Sequence, residues 1–225
     1  MKLTGKLVGI LGGSALMLGV AAMPANATTI ENHYPETPKL NPNLPIVNTY
    51  HGSDHIKPNV LNPHPVCNAL EDKRTVVYKV TDNFLPVGTI STTNHTNKDI
   101  PLTQETSKEQ TISLKANGQQ SSSTTINGGA SKDGGNIGIA QEFSRQLGFE
   151  ASYSLSWTAG QTVGPYDVPP GYTGEATYGF RTVSMTGTQQ ICGANGTWTN
   201  PTAWNAFVPV KNEVAVKLYN NPADS

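Results

Sequence analysis

The chain is poor in charged residues, and it has no long apolar run after its first 22 residues. Only 14% of its 225 residues are charged, and the formal net charge is −1. That balance gives no electrostatic basis for binding nucleic acid or for a first contact with an anionic membrane. Ser, Thr, Asn and Gly are abundant instead, a composition that suits β-structure with many turns and argues against a helical protein.

The sequence also lacks the usual signatures of catalysis. It has no phosphate-binding loop, no dinucleotide fingerprint and no G-x-S-x-G nucleophile elbow, and no pair of carboxylates stands out for glycoside hydrolysis. His51 and His55 have the spacing of zinc ligands on a helix, but Gly52 and Pro58 argue against a helix there. We therefore expect a protein that is not an enzyme and that binds no metal or cofactor.

Cysteine is almost absent. Cys67 and Cys192 are the two cysteines of the chain, so a single intramolecular pairing exists. In an exported protein we expect them to be joined, closing a loop of about 125 residues whose constraint contributes about 4–5 kcal/mol. Two free thiols and an intermolecular bridge are the alternatives.

The N-terminus has the pattern of a secretory signal peptide. Two lysines precede an apolar stretch at residues 7–22, and a small-x-small triplet ends at Ala27. The apolar stretch is short for a membrane anchor. We expect residues 1–27 to be removed by cleavage after Ala27 and the mature protein to be secreted.

A proline-rich stretch follows over residues 28–66. Prolines remove backbone donors and fix φ, so this composition predicts an extended arm. We expect the later part of the arm to lie against the folded domain, with Val60, Leu61 and Val66 packed. Residues 67–225 are then predicted to form a single β-rich domain.

Strand patterns dominate that domain. The predicted strands, in chain order, are 75–81, 85–93, 110–116, 172–187, 206–210 and 213–219. Asp82-Asn83 and Lys211-Asn212 are predicted turns between neighbouring strands. The mixed alternation of residues 172–187 predicts burial on both sides or a bulge at Gly179. No amphipathic helix is evident beyond one short turn at residues 139–146.

The longest alternating stretch runs from Phe143 to Trp157. Its apolar residues share one parity, interrupted by Arg145, and the other parity is mostly serine and other polar residues. Period-two alternation predicts a β-strand with one apolar face, here about 15 residues or ~50 Å long. The apolar set is Phe143, Leu147, Phe149, Ala151, Tyr153, Leu155 and Trp157.

Residues 117–140, just before this stretch, are rich in Gly, Ser and Thr. Two interpretations remain open, a flexible surface loop and a β-hairpin with two legs and a tip. In the second interpretation the hairpin residues that would meet a membrane are Ser123, Thr125, Ile126, Ile137 and Ile139.

Taken together, these patterns predict an all-β fold. We expect an elongated antiparallel sheet or sandwich with long amphipathic strands and a Pro-rich extended N-terminal arm.

The order of these features resembles the aerolysin superfamily, most closely its ε-toxin-type branch. The resemblance covers about residues 109–188. It consists of a Ser/Thr-rich alternating pair, a polar glycine-containing insertion, a second amphipathic strand and a Val168-Pro169-Pro170-Gly171 corner. It implies an elongated secreted protein that forms a homo-oligomer and inserts a β-hairpin from each subunit into a target membrane. By analogy the hairpin lies at about residues 121–140, with 143–157 as a stem strand.

A secreted β-sandwich without catalytic activity is the alternative, with a surface glycan or a cell-wall component as its ligand. Trp198, Trp204, Tyr172 and Tyr178 offer stacking surfaces, although core packing is the commoner fate of aromatic side chains. A pore-forming protein requires residues 117–140 to move, whereas a binding protein merely tolerates them.

Overall fold

The computed structural model describes residues 31–33, 37–42, 44–45, 48–52, 54–117, 119–120 and 134–220. Its elements, in chain order, are β1 (Glu31–His33), β2 (Asn48–His51), β3 (Lys73–Thr93), β4 (Ile100–Glu105), β5 (Gln110–Ser113), β6 (Lys115–Ala116), β7 (Gln119–Gln120), α1 (Gly134–Gln146), β8 (Ser154–Trp157), β9 (Thr162–Val168), β10 (Tyr172–Ile191) and β11 (Thr202–Asn220).

Three very long antiparallel strands form the frame of the molecule. Strands β3, β10 and β11 have 21, 20 and 19 residues, so each spans about 65 Å at ~3.3 Å per residue. They are the centre of a sheet with the order β2-β3-β10-β11-β6-β7, and β1 also pairs with β11. Two small antiparallel sheets, β4-β9 and β5-β8, accompany it. The predicted all-β fold with long antiparallel strands is confirmed.

The long strands are rich in β-branched residues, which pair across the sheet. Thr89 and Thr177 hydrogen-bond through their hydroxyls at 2.9 Å, and Thr93 and Thr173 do so at 3.0 Å. Each such cross-strand pair stabilises a sheet by roughly 0.2–1 kcal/mol.

Two predicted turns are wrong, because β3 and β11 run straight through them. Asp82 accepts hydrogen bonds from Arg181, and the amide of Asn212 donates to the carbonyl of Ser156 at 2.8 Å. Polar side chains often favour turns because they hydrogen-bond to their own backbone. Here they hydrogen-bond to other segments of the chain instead, so the strands can continue. The register of β11 against β10 shifts by one residue between Pro209 and Lys211, which is a bulge and not a reversal.

The apolar side of the long sheet changes face halfway along its length. Ala176, Tyr178 and Phe180 of β10 belong to one buried cluster, whereas Val183 and Met185, of opposite parity, belong to another. The extra residues at the register shifts lie in β3 and β11, so β10 alternates without interruption. The two clusters therefore lie on opposite faces. This explains the mixed alternation of residues 172–187. Burial on two sides is confirmed, whereas the extra residue at the register shift next to Gly179 is Val87 of β3.

Different elements cover the two faces. Cluster one contains Val77, Val80, Leu114, Ala116, Ile139, Ala140, Phe143, Val183, Met185, Trp204, Ala206 and Val208. Cluster two contains Ile90, Leu102, Trp157, Val163, Val168, Ala176, Tyr178, Phe180 and Val216. Helix α1 contributes to cluster one, and β4, β8 and β9 contribute to cluster two.

The disulfide is present at one end of the long sheet. Cys67 and Cys192 are bonded, with a Cα–Cα distance of 5.9 Å and a sequence separation of 125. Cys67 comes shortly before β3 and Cys192 directly follows β10, so the bond secures the start of one long strand to the end of its neighbour. A disulfide indicates folding in an oxidising environment.

The packing predicted for the later part of the arm is wrong. The side chain of Val60 is 100% exposed, and those of Leu61 and Val66 are 70% and 60% exposed. Their loop is held by backbone hydrogen bonds to the chain after Cys192, including Val66 N–H to Gly196 O at 2.9 Å. Its position is therefore fixed without burying these three side chains.

Candidate functional site

The candidate functional site is the part of the chain from β5 to β8, residues 110–157, which is called the covering segment. Its two legs begin at β5 and end at β8. Strands β5 and β8 pair from Gln110↔Trp157 to Ser113↔Ser154, and the N–H of Leu114 continues the register by donating to Tyr153 O at 2.8 Å. The two legs therefore leave the body of the protein side by side, as the base of a hairpin does.

Beyond Leu114 the two legs diverge. The first leg forms a tight β6-β7 pair, with Lys115 opposite Gln120. Strand β6 joins the long sheet through two residue pairs, Ala116↔Ala206 and Lys115↔Phe207. The second leg follows α1 in the chain and reaches β8 through residues 147–153. The strand pairing between the first leg and the long sheet is thus confined to a very short strand.

The first half of helix α1 is rich in residues with poor helix propensity. It begins with Gly134 and Gly135, and Gly138 lies in its interior, where a glycine costs about 0.5–1 kcal/mol relative to alanine. The hydroxyl of Ser144 donates to the Ala140 carbonyl at 2.9 Å, a back-bond that slightly weakens helices. Tertiary packing, and not local preference, holds this segment helical.

The end of α1 is fixed by Gly148, which has a φ of 80°. The N–H of Gly148 donates to Arg145 O at 2.9 Å, and the N–H of Phe149 donates to Ser144 O at 2.8 Å. This pair of bonds is a Schellman motif, in which glycine takes the left-handed conformation at low cost.

The buried side of α1 rests on β11. The ring of Phe143 packs edge-on against Trp204, with 5.7 Å between ring centroids, and both side chains are buried. The amide of Gln189 donates to Asn136 Oδ1 at 3.1 Å. The indole Nε1 of Trp204 is buried and has no hydrogen-bond partner among the described residues, so this contact is chiefly apolar.

An ion cluster borders cluster one on the same face of the sheet. The guanidinium of Arg181 donates to both carboxylate oxygens of Asp82, at 3.0 and 2.7 Å, and lies 3.7 Å from Glu213. Lys211 forms an ion pair with Glu213. The hydrogen bonds to Asp82 raise the pKa of Arg181, against the opposing cost of its partial burial. The guanidinium also stacks on the ring of Phe149, 5.3 Å from its centroid.

Trp157 secures the other end of the covering segment. Its indole N–H donates to Gly179 O at 2.9 Å, and its ring meets Tyr178 edge-on with 5.2 Å between centroids. Between this anchor and α1, the N–H of Ser152 donates to Pro209 O at 2.8 Å. An open cleft of about 580 Å³, lined in part by Leu85, Ile112 and Phe207, lies between β5 and the long strands.

The predicted long strand from Phe143 to Trp157 is wrong. Residues 134–146 are helical, residues 147–153 lie outside any helix or strand, and β8 is confined to Ser154–Trp157. The sequence did carry a helical signal, because Ile139, Phe143 and Leu147 recur every four residues and Gly148 follows them.

The predicted site residues occupy different places. Ile139, Phe143 and Trp157 are buried, whereas Ile137, Leu147, Phe149, Ala151, Tyr153 and Leu155 are partly buried. Ser123, Thr125 and Ile126 lie outside the described residues. The Val168–Gly171 corner is a turn between β9 and β10, with Tyr172 N–H bonded to Pro169 O.

Sequence reasoning missed the contribution of α1, Arg181 and Asp82 to this site. Among the described residues, no group of three or more His, Cys, Asp or Glu side chains is arranged to hold a metal ion. No helix in the described ranges combines the length and the hydropathy of a membrane span.

No protein-family model matches the chain, and no curated protein matches it. Among solved structures, one similar chain is described as a non-toxic crystal protein from Bacillus thuringiensis. It is 11% identical, with 66% of this chain and 81% of that chain covered and a TM-score of 0.22. A similarity at that TM-score carries over neither a fold nor a function, so the function is argued from the geometry of this chain.

Proposed function

We propose that this is a secreted, non-enzymatic β-pore-forming protein. In the proposed mechanism the covering segment leaves the long sheet, extends into a β-hairpin and joins the hairpins of other copies in a barrel across the target membrane. Barrel closure satisfies every backbone hydrogen bond in the bilayer, which an isolated hairpin cannot do. The signal-peptide pattern and the disulfide support export.

The register of the β5-β8 pair is the observation that carries this proposal. Its paired residue numbers add to 267 at every position. If the register continued, Asp133 and Gly134 would form the tip. Asp-Gly is among the preferred sequences for a two-residue hairpin turn. Each leg would have about 24 residues, and a membrane strand needs about 9–11.

The same register places most apolar residues of the hairpin on one face. Paired residues share a face, so the residues with even numbers in the first leg face the same way as those with odd numbers in the second. That face would carry Ile112, Leu114, Ala116, Ile126, Ala130, Ile137, Ile139, Phe143, Leu147, Phe149, Ala151, Tyr153, Leu155 and Trp157. Its polar members would be Gln110, Gln120, Ser122, Thr124, Lys132, Gln141 and Arg145. In this register Ser123 and Thr125 would face water, and Ile126, Ile137 and Ile139 would face lipid. The opposite face would be Ser, Thr, Asn, Gln, Glu and Gly with few exceptions, as expected for a lipid face and a water face.

The folded state supports such a conversion. The glycines of α1 make its helical conformation inexpensive to lose, and two residue pairs join β6 to β11. The alternation of residues 143–153, which are not in a strand in the folded state, would be used in the hairpin.

A disulfide between the covering segment and the long sheet tests the proposal. Ala116 and Ala206 are paired across β6 and β11, so the variant A116C/A206C should hold the segment in place when oxidised. We expect wild-type residues 28–225 to release dye from liposomes or cells and to form SDS-resistant oligomers. The oxidised variant should bind but release no dye.

The matched control is T89C/T177C, which joins two paired residues within the long sheet and should leave release unchanged. Dye release by the oxidised A116C/A206C variant at the wild-type rate would exclude the mechanism. Absence of release and of oligomers with wild-type protein on liposomes and a broad panel of cells would exclude pore formation.

Glycan binding is the second candidate, favoured by one local arrangement. The partly exposed Trp198 lies against Arg74, 5.4 Å from its ring centroid, and Tyr50, at 6.1 Å between centroids. Aromatic faces beside polar groups suit sugar stacking. A glycan screen with wild type and Trp198→Ala would detect this activity through loss of signal in the variant.

A further inference from the structure

The face of the long sheet that carries cluster two changes character along its length. Strands β4, β8 and β9 cover one half of it, over cluster two. In the other half, nearer the disulfide, β10 continues at the parity of Phe180. The residues there all carry a hydroxyl or an amide, and they are Thr182, Ser184, Thr186, Thr188 and Gln190. Such groups donate and accept hydrogen bonds, so this half of the face suits a polar ligand.

Direct contacts join aromatic and polar side chains at the disulfide end of this half. The centroid of the Trp198 ring lies 6.1 Å from that of Tyr50 and 5.4 Å from Cζ of Arg74. The guanidinium of Arg74 in turn donates to Oε1 of Gln190. Tyr50, Arg74 and Gln190 are also paired across β2, β3 and β10, so they share a face of the sheet. These four side chains therefore form one contiguous patch.

The patch continues along β10 on the same face. Thr188 lies two residues before Gln190, and its hydroxyl is hydrogen-bonded to that of Tyr78 at 2.8 Å. The hydroxyl of Tyr50 donates to Oδ2 of the buried Asp72 at 2.9 Å. Both tyrosine side chains are more than half exposed, so their rings meet solvent in fixed orientations, which lowers the entropic cost of binding. The whole patch, called the platform, consists of Tyr50, Arg74, Tyr78, Thr188, Gln190 and Trp198.

Positive charge accompanies the platform on this half of the face. Arg74, Lys79 and Lys115 are exposed. Lys79 is paired with Thr186 of β10, and Lys115 is paired with Phe207 of β11, beside which it lines the open cleft. Among the described residues, the Arg74 side chain bonds to a neutral amide and neither lysine has an ion-pair partner. The surface is therefore locally positive, although the formal net charge of the chain is −1.

No acidic side chain of the three long strands offsets this charge on the same face, within the part of the chain that the structure describes. Asp82 is the one carboxylate of β3, and it lies on the opposite face with Arg181. Residues 182–191 of β10 and 202–209 of β11 contain no Asp or Glu. Asp72, beside Tyr50, is buried and accepts the N–H of Asn68 as well as the tyrosine hydroxyl. The charge of this half of the face thus favours an anionic ligand.

We propose that the platform binds an acidic polysaccharide. Arg74, Lys79 and Lys115 bind its carboxylate or sulfate groups, and Trp198 and Tyr78 offer ring faces on which its sugars stack. This inference rests on the second candidate function, glycan binding at Trp198, and names the class of ligand; it does not depend on pore formation.

The spacing of the cations and the composition of the platform argue against other partners. Arg74 and Lys79 are five positions apart, about 16 Å along β3, whereas duplex DNA carries one phosphate charge per ~1.7 Å of its axis. Protein interfaces are depleted of lysine. A polysaccharide with charged groups on some sugars and neutral hydroxyls between them matches both the sparse cations and the hydroxyl and amide groups of β10.

Retention of residues 28–225 on immobilised heparin, hyaluronate and dextran tests the proposal. Heparin carries sulfate groups, hyaluronate carries carboxylates without sulfate, and dextran is neutral. We expect retention on at least one acidic matrix and none on dextran, with elution between about 0.1 M and about 0.5 M salt because the cations are exposed. The variant K79Q/K115Q should bind about tenfold more weakly, since it loses two of three charge contacts. Trp198→Ala should bind about three- to tenfold more weakly through loss of ring stacking.

The matched control is K98Q/K108Q, which removes the same charge from two exposed lysines in the loops on either side of β4; it should bind like wild type. Equal weakening in this control and in K79Q/K115Q would overturn the proposal, and so would tighter binding of single-stranded DNA than of either acidic polysaccharide. Absence of retention on both acidic matrices would overturn it without bearing on dye release. Retention on dextran that is lost in Trp198→Ala and kept in K79Q/K115Q would overturn it and support a neutral glycan.

Discussion

At the scale of single residues, Arg181 joins groups that the sequence separates widely. Its partner Asp82 lies 99 positions away in the chain and is fully buried. On the other side the guanidinium meets Phe149 of the covering segment. One charged side chain thus links β3, β10 and the candidate functional segment, and its removal should affect all three.

Asp82→Ala should destabilise the folded protein by about 3 kcal/mol, because a largely buried guanidinium would lose its main partner. Urea unfolding gives the free energy directly. Lys57→Ala is the control: the Lys57–Glu71 pair has side chains 68% and 50% exposed, and such surface pairs contribute at most about 1 kcal/mol. Similar losses in both variants would show that the Arg181 cluster has no special role.

The sequence predicts some residue pairs and not others for a simple reason. Cys67 and Cys192 could be paired because the chain offers a single choice. Asp82 could not be assigned to Arg181, since many acidic residues are possible partners and Asp82-Asn83 has the local composition of a turn. Long-range polar contacts leave no periodic trace in a sequence.

At the scale of elements, two signals in residues 139–157 compete. Alternation from Phe143 onward favours a strand, whereas the four-residue spacing of Ile139, Phe143 and Leu147 before Gly148 favours a helix. Burial of Phe143 against Trp204 decides for the helix. β3 and β11 were each predicted as two strands because polar residues in their middle resemble turns, and the partners that satisfy those residues come from distant segments.

Gly138→Ala tests whether the weak helix matters for function. Gly138 lies inside α1, and a Cβ there would meet no atom within 4 Å. Alanine should therefore stabilise the folded protein by about 0.5–1 kcal/mol. If α1 unwinds before insertion, dye release should become about two- to fivefold slower.

Gly148→Ala should have the opposite effects. The left-handed φ of Gly148 strains an alanine, so the helix end is weakened by roughly 1 kcal/mol and release should be faster. Thermal unfolding and release kinetics measured on both variants form a pair. If release is not slower in Gly138→Ala and faster in Gly148→Ala, unwinding of α1 is not part of the mechanism.

At the scale of the whole molecule, one long sheet contributes residues to two separate hydrophobic cores. Cluster one and cluster two lie on opposite faces and at opposite halves, so no single layer covers the sheet from end to end. The sequence predicts β10 as one long strand, and its mixed alternation indicates burial on two sides. The full length of β3 and β11 could not be predicted, because the register irregularities lie in those two strands.

The disulfide should contribute much of the stability of this arrangement. It closes a loop over 125 positions, so its removal in C67A/C192A should cost about 4–5 kcal/mol by relaxing the unfolded chain. The thermal midpoint should fall by on the order of 10 °C. Neither cysteine belongs to cluster one or cluster two, so the β-sheet circular dichroism of the folded variant should equal that of wild type.

The same variant also tests how the loops around the disulfide are ordered. Residues 54–72 are held by the disulfide together with backbone bonds such as Leu70 N–H to Cys192 O at 3.1 Å. Without the disulfide, these loops should be cleaved faster by protease below the melting temperature, while the long sheet persists. An unchanged thermal midpoint would show that the bond does not stabilise the fold. Unchanged cleavage in a destabilised variant would show that the hydrogen bonds alone order the loops.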